Sequence, residues 1–359
     1  SGEPGPAGYP GRVRHRGRPF VKRQVLAALV LLSVAGAAAN PPAAARSLGD
    51  SPDALIFADG FESGDTGAWS GDPVSGSDTI ATSDAQIHTY FYRVPGTPAP
   101  AAGRPALLWL HGDGGSGGGG FGSGFYPYTD PDGAIVVTPS GINQTWTHAA
   151  GDLPGMPQDS QFLSLLIAQL IAEGVAGEVV DPARIYLGGV SRGAYMPYFL
   201  LQRPSTKDKL AAVAVNAGLL YCQAGDADCA TGGSSPLHHD AAAAILHLHG
   251  TNDTAVEPPP TALFHVPIDW NIDWRVFWPM NLWAGQHGCF GGDNSTGNDD
   301  GVLRATYLVG ANTARVYDLT GWDPNCAKYQ LILVTNGGHV IPGQEGRIWS
   351  FLASHLLGE

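Results

Sequence analysis

Positive charge is what this 359-residue chain most lacks: 19 Lys and Arg stand against 32 Asp and Glu, for a formal charge of −13, and charged residues of both signs make up only 14%. Six of the basic residues (Arg12, Arg14, Arg16, Arg18, Lys22 and Arg23) and one acid, Glu3, precede residue 40, so without residues 1–39 the balance is 13 against 31, a charge of −18. A surface that acidic cannot neutralise phosphates, which argues against nucleic acid as a partner. Cysteine is also sparse: none of Cys222, Cys229, Cys289 and Cys326 forms a C-x₂-C pair, so the spacing of a zinc site is missing and no metal is expected. The apolar run Val25 to Val34 is too short to cross a bilayer, and no stable membrane span is expected. Gly115 to Gly120 formally matches G-x-G-x-x-G, but a tract this rich in glycine matches almost automatically. Neither a clear helix nor a Lys-Ser/Thr pair follows it, so no nucleotide or other cofactor is expected.

What the chain does contain is 43% hydrophobic residues with 50 Gly and 28 Pro, a composition and length that suit one large α/β domain plus extensions. A basic cluster, the short apolar run and Gly36-Ala37-Ala38-Ala39 read as a secretory signal peptide over residues 1–39, with cleavage after Ala39 or, as second choice, after Ala45. Secretion, to the periplasm or the exterior, follows as an expectation. The four cysteines fit it, because disulfides persist in oxidising compartments. Three pairings are possible, of which Cys222–Cys229 and Cys289–Cys326 are favoured. Residues 40–84, rich in Ala, Pro, Gly, Ser and Asp, read as a linker or loosely ordered segment, and residues 85–359 as the catalytic domain.

Within that domain, apolar or β-branched runs at 87–94, 106–110, 134–137, 211–215, 245–249, 313–319 and 329–334 read as strands. Leu163, Leu166, Ile167, Leu170 and Ile171 recur at helical spacing, with Asp159 at the start and Gly174 beyond the end. An amphipathic helix over Gly346 to Leu356 closes the chain. Strands alternating with helices predict a mostly parallel sheet covered on both faces. The stretch Arg184 to Met196 organises the rest: a strand runs into Gly189-Val190-Ser191-Arg192-Gly193 and then a helix. Glycines two before and two after a serine allow the sharp turn that exposes a nucleophile. A serine hydroxyl needs an imidazole to take its proton and a carboxylate to hold that imidazole. Asp253 after the strand at 245–249 and His339 after the strand at 329–334 supply them in the order Ser, acid, His. Asp240, in the polar loop before its strand, is the nearest competitor for the acid. The backbone N–H groups of Arg192 and Asp113 are the candidate oxyanion donors. His247 and His249 share one strand face and read as buried histidines rather than as ligands grouped with His238 and His239.

Taken together, Tyr92-Arg93-Val94-Pro95, Leu110-His111-Gly112, Asp159 with Phe162-Leu163, Asp181 to Gly193, Leu248 to Asp253, Gly288-Cys289, Cys326, Gly337 to Gly343 and Ile348 to Phe351 resemble the polyhydroxybutyrate depolymerase and feruloyl esterase branch of the α/β-hydrolases. The resemblance covers roughly Tyr90 to Leu356. It implies the α/β-hydrolase fold and a serine carboxylic-ester hydrolase with Ser191 as nucleophile, Asp253 as acid and His339 as base. The implied partner is an ester substrate, oligomeric or polymer-derived: feruloyl- or acetyl-type esters on plant polysaccharide, or hydroxyalkanoate esters as the alternative. A hydrolase-like domain that binds carbohydrate without turnover is the reading outside enzymology. Departures from the family pattern touch the pocket wall: Ala194 where a second glycine is frequent, Ile341 where tryptophan is, and Pro197 inside the helix after the nucleophile. Trp270, Trp274, Trp278 and Trp283 could form a lid or a stacking surface.

Overall fold

The computed structural model describes residues 71–147, 158–219, 241–256, 302–318 and 328–358. The expected signal peptide, the linker before residue 71, the four cysteines, Asp240, His238, His239 and the tryptophan-rich insertion lie outside the described residues. Among the described residues ten strands form one sheet: β1 (Val74–Ala81), β2 (Ile87–Val94), β3 (Arg104–Leu110), β4 (Ile135–Pro139), β5 (Val180–Val190), β6 (Ala212–Asn216), β7 (Ala244–Gly250), β8 (Val302–Val309), β9 (Asn312–Asp318) and β10 (Tyr329–Val334). Their spatial order is β1-β2-β4-β3-β5-β6-β7-β10-β9-β8. The stretch from β4 to β10 is parallel throughout. On one side β2 and β1 are added antiparallel, and on the other β9 and β8.

The parallel strands read as near-continuous apolar runs because both of their faces are covered. Alternate residues divide between two cores. On one face Ala106, Leu108, Leu110, Ile185, Leu187, Val213, Val215 and Ile245 meet Phe162, Leu166 and Ile167 of α2 (Asp159–Glu173) and Met196 and Leu200 of α3 (Tyr195–Leu201). On the other, Leu107, Trp109, Tyr186, Ala214 and Leu246 meet Ile348, Trp349 and Leu352 of α4 (Glu345–Ala353). A single turn, α1 (Tyr126–Thr129), precedes β4. Each large apolar side chain so buried contributes about 1.5–3 kcal/mol. Gly174 closes α2 with a φ of 71° and returns its N–H to the Leu170 carbonyl at 3.1 Å. Among the described residues no helix is long and apolar enough to cross a membrane.

Three features differ from the expectation. Val74–Ala81, assigned by composition to the linker, pairs with β2 as an edge strand. β8, which no sequence pattern suggested, forms a hairpin with β9 around Gly310, whose φ is 59°. Pro197 does not break a long helix. Ser191–Ala194 form a 3₁₀ turn and α3 begins only at Tyr195, which leaves Pro197 in the first helical turn, where an N–H has no intrahelical acceptor.

Candidate active site

Because β3, β5, β7 and β10 are parallel, their carboxyl ends emerge at one edge of the sheet, where ligands bind in open α/β folds. Ser191 follows β5, Asp253 lies just past β7, His339 just past β10 and His111-Gly112 just past β3. Topology alone therefore gathers residues that lie 148 positions apart in the chain.

Ser191 has a φ of 52°, the left-handed conformation that L-residues seldom adopt. The flanking glycines permit it. A Cβ on Gly189 would sit 2.7 Å from the backbone of Gly193, and one on Gly193 would sit 2.3 Å from the His111 carbonyl oxygen. The Ser191 Oγ lies 2.7 Å from Nε2 of His339, and Nδ1 of His339 lies 2.8 Å from Oδ2 of Asp253. His339 keeps 27% of its side chain exposed, whereas the Asp253 side chain is fully buried. Oδ1 of Asp253 accepts the N–H groups of Ala255 at 2.9 Å and Val256 at 3.0 Å, and Nε2 of His249 stands 3.3 Å from Oδ2. Burial pushes the Asp253 carboxyl up, yet the close approach of His249 and the bonds from His339 and those two amides outweigh it and hold the pKa well below the usual carboxylate value. Asp253 is therefore a carboxylate at neutral pH, facing Nδ1 of His339.

The loops carrying Asp253 and His339 also hold each other. Thr251 N–H donates to the Val334 carbonyl at 2.9 Å, Asn252 N–H to that of Gly337 at 2.8 Å, and Asn336 N–H to the Thr251 hydroxyl at 2.9 Å. Val340, directly after His339, is a β-branched residue with a φ of 47°, a strained conformation. Its neighbour Ile341 is fixed at both backbone atoms by the buried Asn216 at the end of β6: Nδ2 donates to the Ile341 carbonyl at 3.1 Å and Oδ1 accepts its N–H at 3.0 Å. No sequence motif marks Asn216. An asparagine ending an apolar strand is its only local signal.

The loop after β3 lies directly against the serine, since a Cβ on Gly112 would sit 3.3 Å from that of Ser191. Burial lowers the His111 pKa, so its imidazole is neutral. Its Nε2 accepts the Gly141 N–H at 3.0 Å and its Nδ1 is 2.7 Å from the Gly112 carbonyl, which puts the proton on Nδ1. Trp146 Nε1 donates to the His111 carbonyl at 2.9 Å. The Asp113 side chain accepts the Thr145 hydroxyl and lies 3.5 Å from Nε of Arg192, linking the two residues whose N–H groups are the oxyanion candidates. The glycine tract lies against β4: Gly117 N–H donates to the Ser140 hydroxyl at 2.8 Å, and its carbonyl accepts that of Thr138 at 2.7 Å. Ala194 and Ile341, two of the departures, are both buried rather than exposed to the cleft.

No family model matches the chain, and no curated protein matches it. Among solved structures it is similar to an acetyl xylan esterase from Aspergillus awamori at 17% identity and a TM-score of 0.52, over 77% of this chain and 99% of that one. It is also similar to an S-formylglutathione hydrolase from Agrobacterium tumefaciens (14%, TM-score 0.48, 80% and 96%) and to a feruloyl esterase module from Clostridium thermocellum complexed with sinapinate (12%, TM-score 0.45, 79% and 88%). The sheet order and the first of these likenesses establish the α/β-hydrolase fold.

Proposed function

We propose that the chain is an exported serine esterase that hydrolyses carboxylic esters through an acyl-enzyme. The observation that carries this reading is the unbroken line from Ser191 Oγ to His339 Nε2 at 2.7 Å and from His339 Nδ1 to Asp253 Oδ2 at 2.8 Å. As Oγ attacks the ester carbonyl carbon, its proton passes to Nε2, and the buried carboxylate of Asp253 stabilises the imidazolium that forms. The negative charge on the former carbonyl oxygen is received by the N–H groups of Arg192 and Asp113. Collapse of the tetrahedral adduct breaks the ester C–O bond, and Nε2–H protonates the departing alkoxide. Water then gives one proton to Nε2 as its oxygen attacks the acyl carbon, and that proton returns to Oγ when the acid leaves. No step needs a metal or a cofactor.

The export half of the proposal rests on the basic cluster, apolar run and Ala-rich end of residues 1–39. The substrates proposed are feruloyl- or acetyl-type esters on plant polysaccharide, with hydroxybutyrate oligomers as the alternative that the family resemblance of Tyr90 to Leu356 implies. The test is product release from methyl ferulate, acetylated xylan and hydroxybutyrate oligomers, each run against Ser191→Ala. Turnover of one substrate, abolished in the variant, is expected. Glycan binding with no turnover of any of the three would put a non-catalytic binding domain in its place.

A further inference from the structure

Behind Asp253 lies a row of buried polar groups that the hydrolysis does not use. His247 and His249 of β7 point to the same face of the sheet as Ile245, toward α3, and both are fully buried together with Tyr198 of α3. The Tyr198 hydroxyl is 2.7 Å from Nδ1 of His247, Nε2 of His247 is 3.3 Å from Nδ1 of His249, and Nε2 of His249 is 3.3 Å from Oδ2 of Asp253. Polar groups this deep cost free energy unless they are hydrogen-bonded, so their protons must be arranged to fit one another.

The arrangement follows from counting donors. An ionised carboxylate only accepts, so the His249 nitrogen that faces Asp253 carries a hydrogen. With that single hydrogen on the His249 ring, its Nδ1 accepts, and Nε2 of His247, which faces it at 3.3 Å, donates. Nδ1 of His247 then accepts the Tyr198 hydroxyl. Burial depresses the His247 pKa and raises that of Tyr198, which leaves both uncharged and agrees with this count.

We propose that Tyr198, His247 and His249 form a proton-ordered row whose hydrogens all point toward Asp253, with His249 a positioning residue that fixes the carboxylate for His339. This rests on the esterase reading, in which Asp253 is the triad acid. Oδ1 is already held by the amides of Ala255 and Val256, and Oδ2 is reached by His249 and His339 at once. The carboxylate is thereby fixed at both oxygens before any substrate arrives. A buried donor behind the acid also spreads part of its charge away from His339.

Two measurements test the row. The first is the ¹⁵N spectrum of histidine-labelled wild-type protein at neutral pH. His247 and His249 are both expected as neutral Nε2–H tautomers, and an Nδ1–H tautomer or a doubly protonated ring at either position overturns the proposal. The second is the rate at which a fluorophosphonate modifies Ser191 in His249→Leu and His249→Gln, each confirmed folded by its unfolding midpoint. Loss of the donor in His249→Leu should slow labelling about 10- to 100-fold, and His249→Gln, which keeps an N–H near the Nε2 position, should recover most of it. Equal rates in the two variants would overturn the positioning role. If wild type is not labelled at Ser191 at all, the esterase reading fails, and the tautomers still decide the row.

Discussion

Ser191, Gly193 and Asn216 each carry a consequence that a single substitution exposes. Ser191→Ala removes the proposed nucleophile and leaves the packing intact. Turnover should fall by a factor on the order of 10³ or more with no change in the urea unfolding midpoint, and a smaller loss in steady-state kinetics would point to another nucleophile. Gly193→Ala places a Cβ 2.3 Å from the His111 carbonyl oxygen and 2.7 Å from that of Leu110. Both are backbone atoms of β3 and its loop, so the clash is relieved only by moving the turn. A stability loss of about 1–3 kcal/mol is expected together with a fall in activity, and an unshifted midpoint would contradict the close approach. Asn216→Ala strands both backbone groups of Ile341 beside the strained Val340. Leaving two buried groups unpaired should cost on the order of 2–4 kcal/mol, and kcat should drop with it because the loop carrying His339 loses its anchor. Unchanged stability with unchanged kcat would show that Asn216 anchors nothing.

Between β2 and α2 lies a buried pair whose effects on the pH dependence of stability cancel. His88 of β2 stacks on Phe162 of α2, and its Nδ1 lies 3.6 Å from Oδ1 of Asp159, the first residue of that helix. Burial lowers the His88 pKa to about 4 and raises that of Asp159 to about 6, so between those values the two are uncharged neighbours in the native state. In the unfolded chain, with reference values of 6.5 and 3.8, both are charged over that window. The proton count is then the same folded and unfolded, and the pair adds no pH dependence. Asp159→Asn leaves His88 alone with a depressed pKa, so the unfolded state binds more protons and stability should rise as pH climbs from about 4 to 6.5. His88→Gln leaves Asp159 alone with a raised pKa, and stability should fall as pH climbs from 3.8 to about 6. Urea midpoints across that range check the opposite slopes, and parallel profiles would refute them.

Elements also mark how far the sequence could be read. Strands buried on both faces announce themselves as apolar runs, and β3, β4, β6, β7 and β10 were legible for that reason. β1, reading VSGSDTIA, is exposed over most of its length and has one pairing partner among the described residues, so its composition could not be told from a linker. β8 is likewise an edge strand. The positions of Ser191, Asp253 and His339 at strand ends were visible, because each follows a strand signal and a glycine-containing turn. Asn216 and the row behind Asp253 were not, since their partners lie far away in the chain and only the fold makes them neighbours.

Across the whole molecule, the parallel sheet does the gathering: four strand ends meet at one edge, and hydrogen bonds between the loops after β7 and β10 hold Asp253 and His339 in register. If residues 1–39 are removed on export as proposed, the secreted protein begins at Asn40, which N-terminal sequencing of the exported form checks, and retention of Arg12 to Arg23 would refute it. In the proposed mechanism this assembly activates Ser191. Its most direct test is to treat the folded protein with a fluorophosphonate and locate the adduct by peptide mass spectrometry, alongside Asp253→Asn and His339→Gln. One adduct per chain, on Ser191, slowed by a factor on the order of 10⁴ in Asp253→Asn and nearly absent in His339→Gln, is the predicted result. An adduct on another residue, or a rate unaffected by either substitution, would contradict the account.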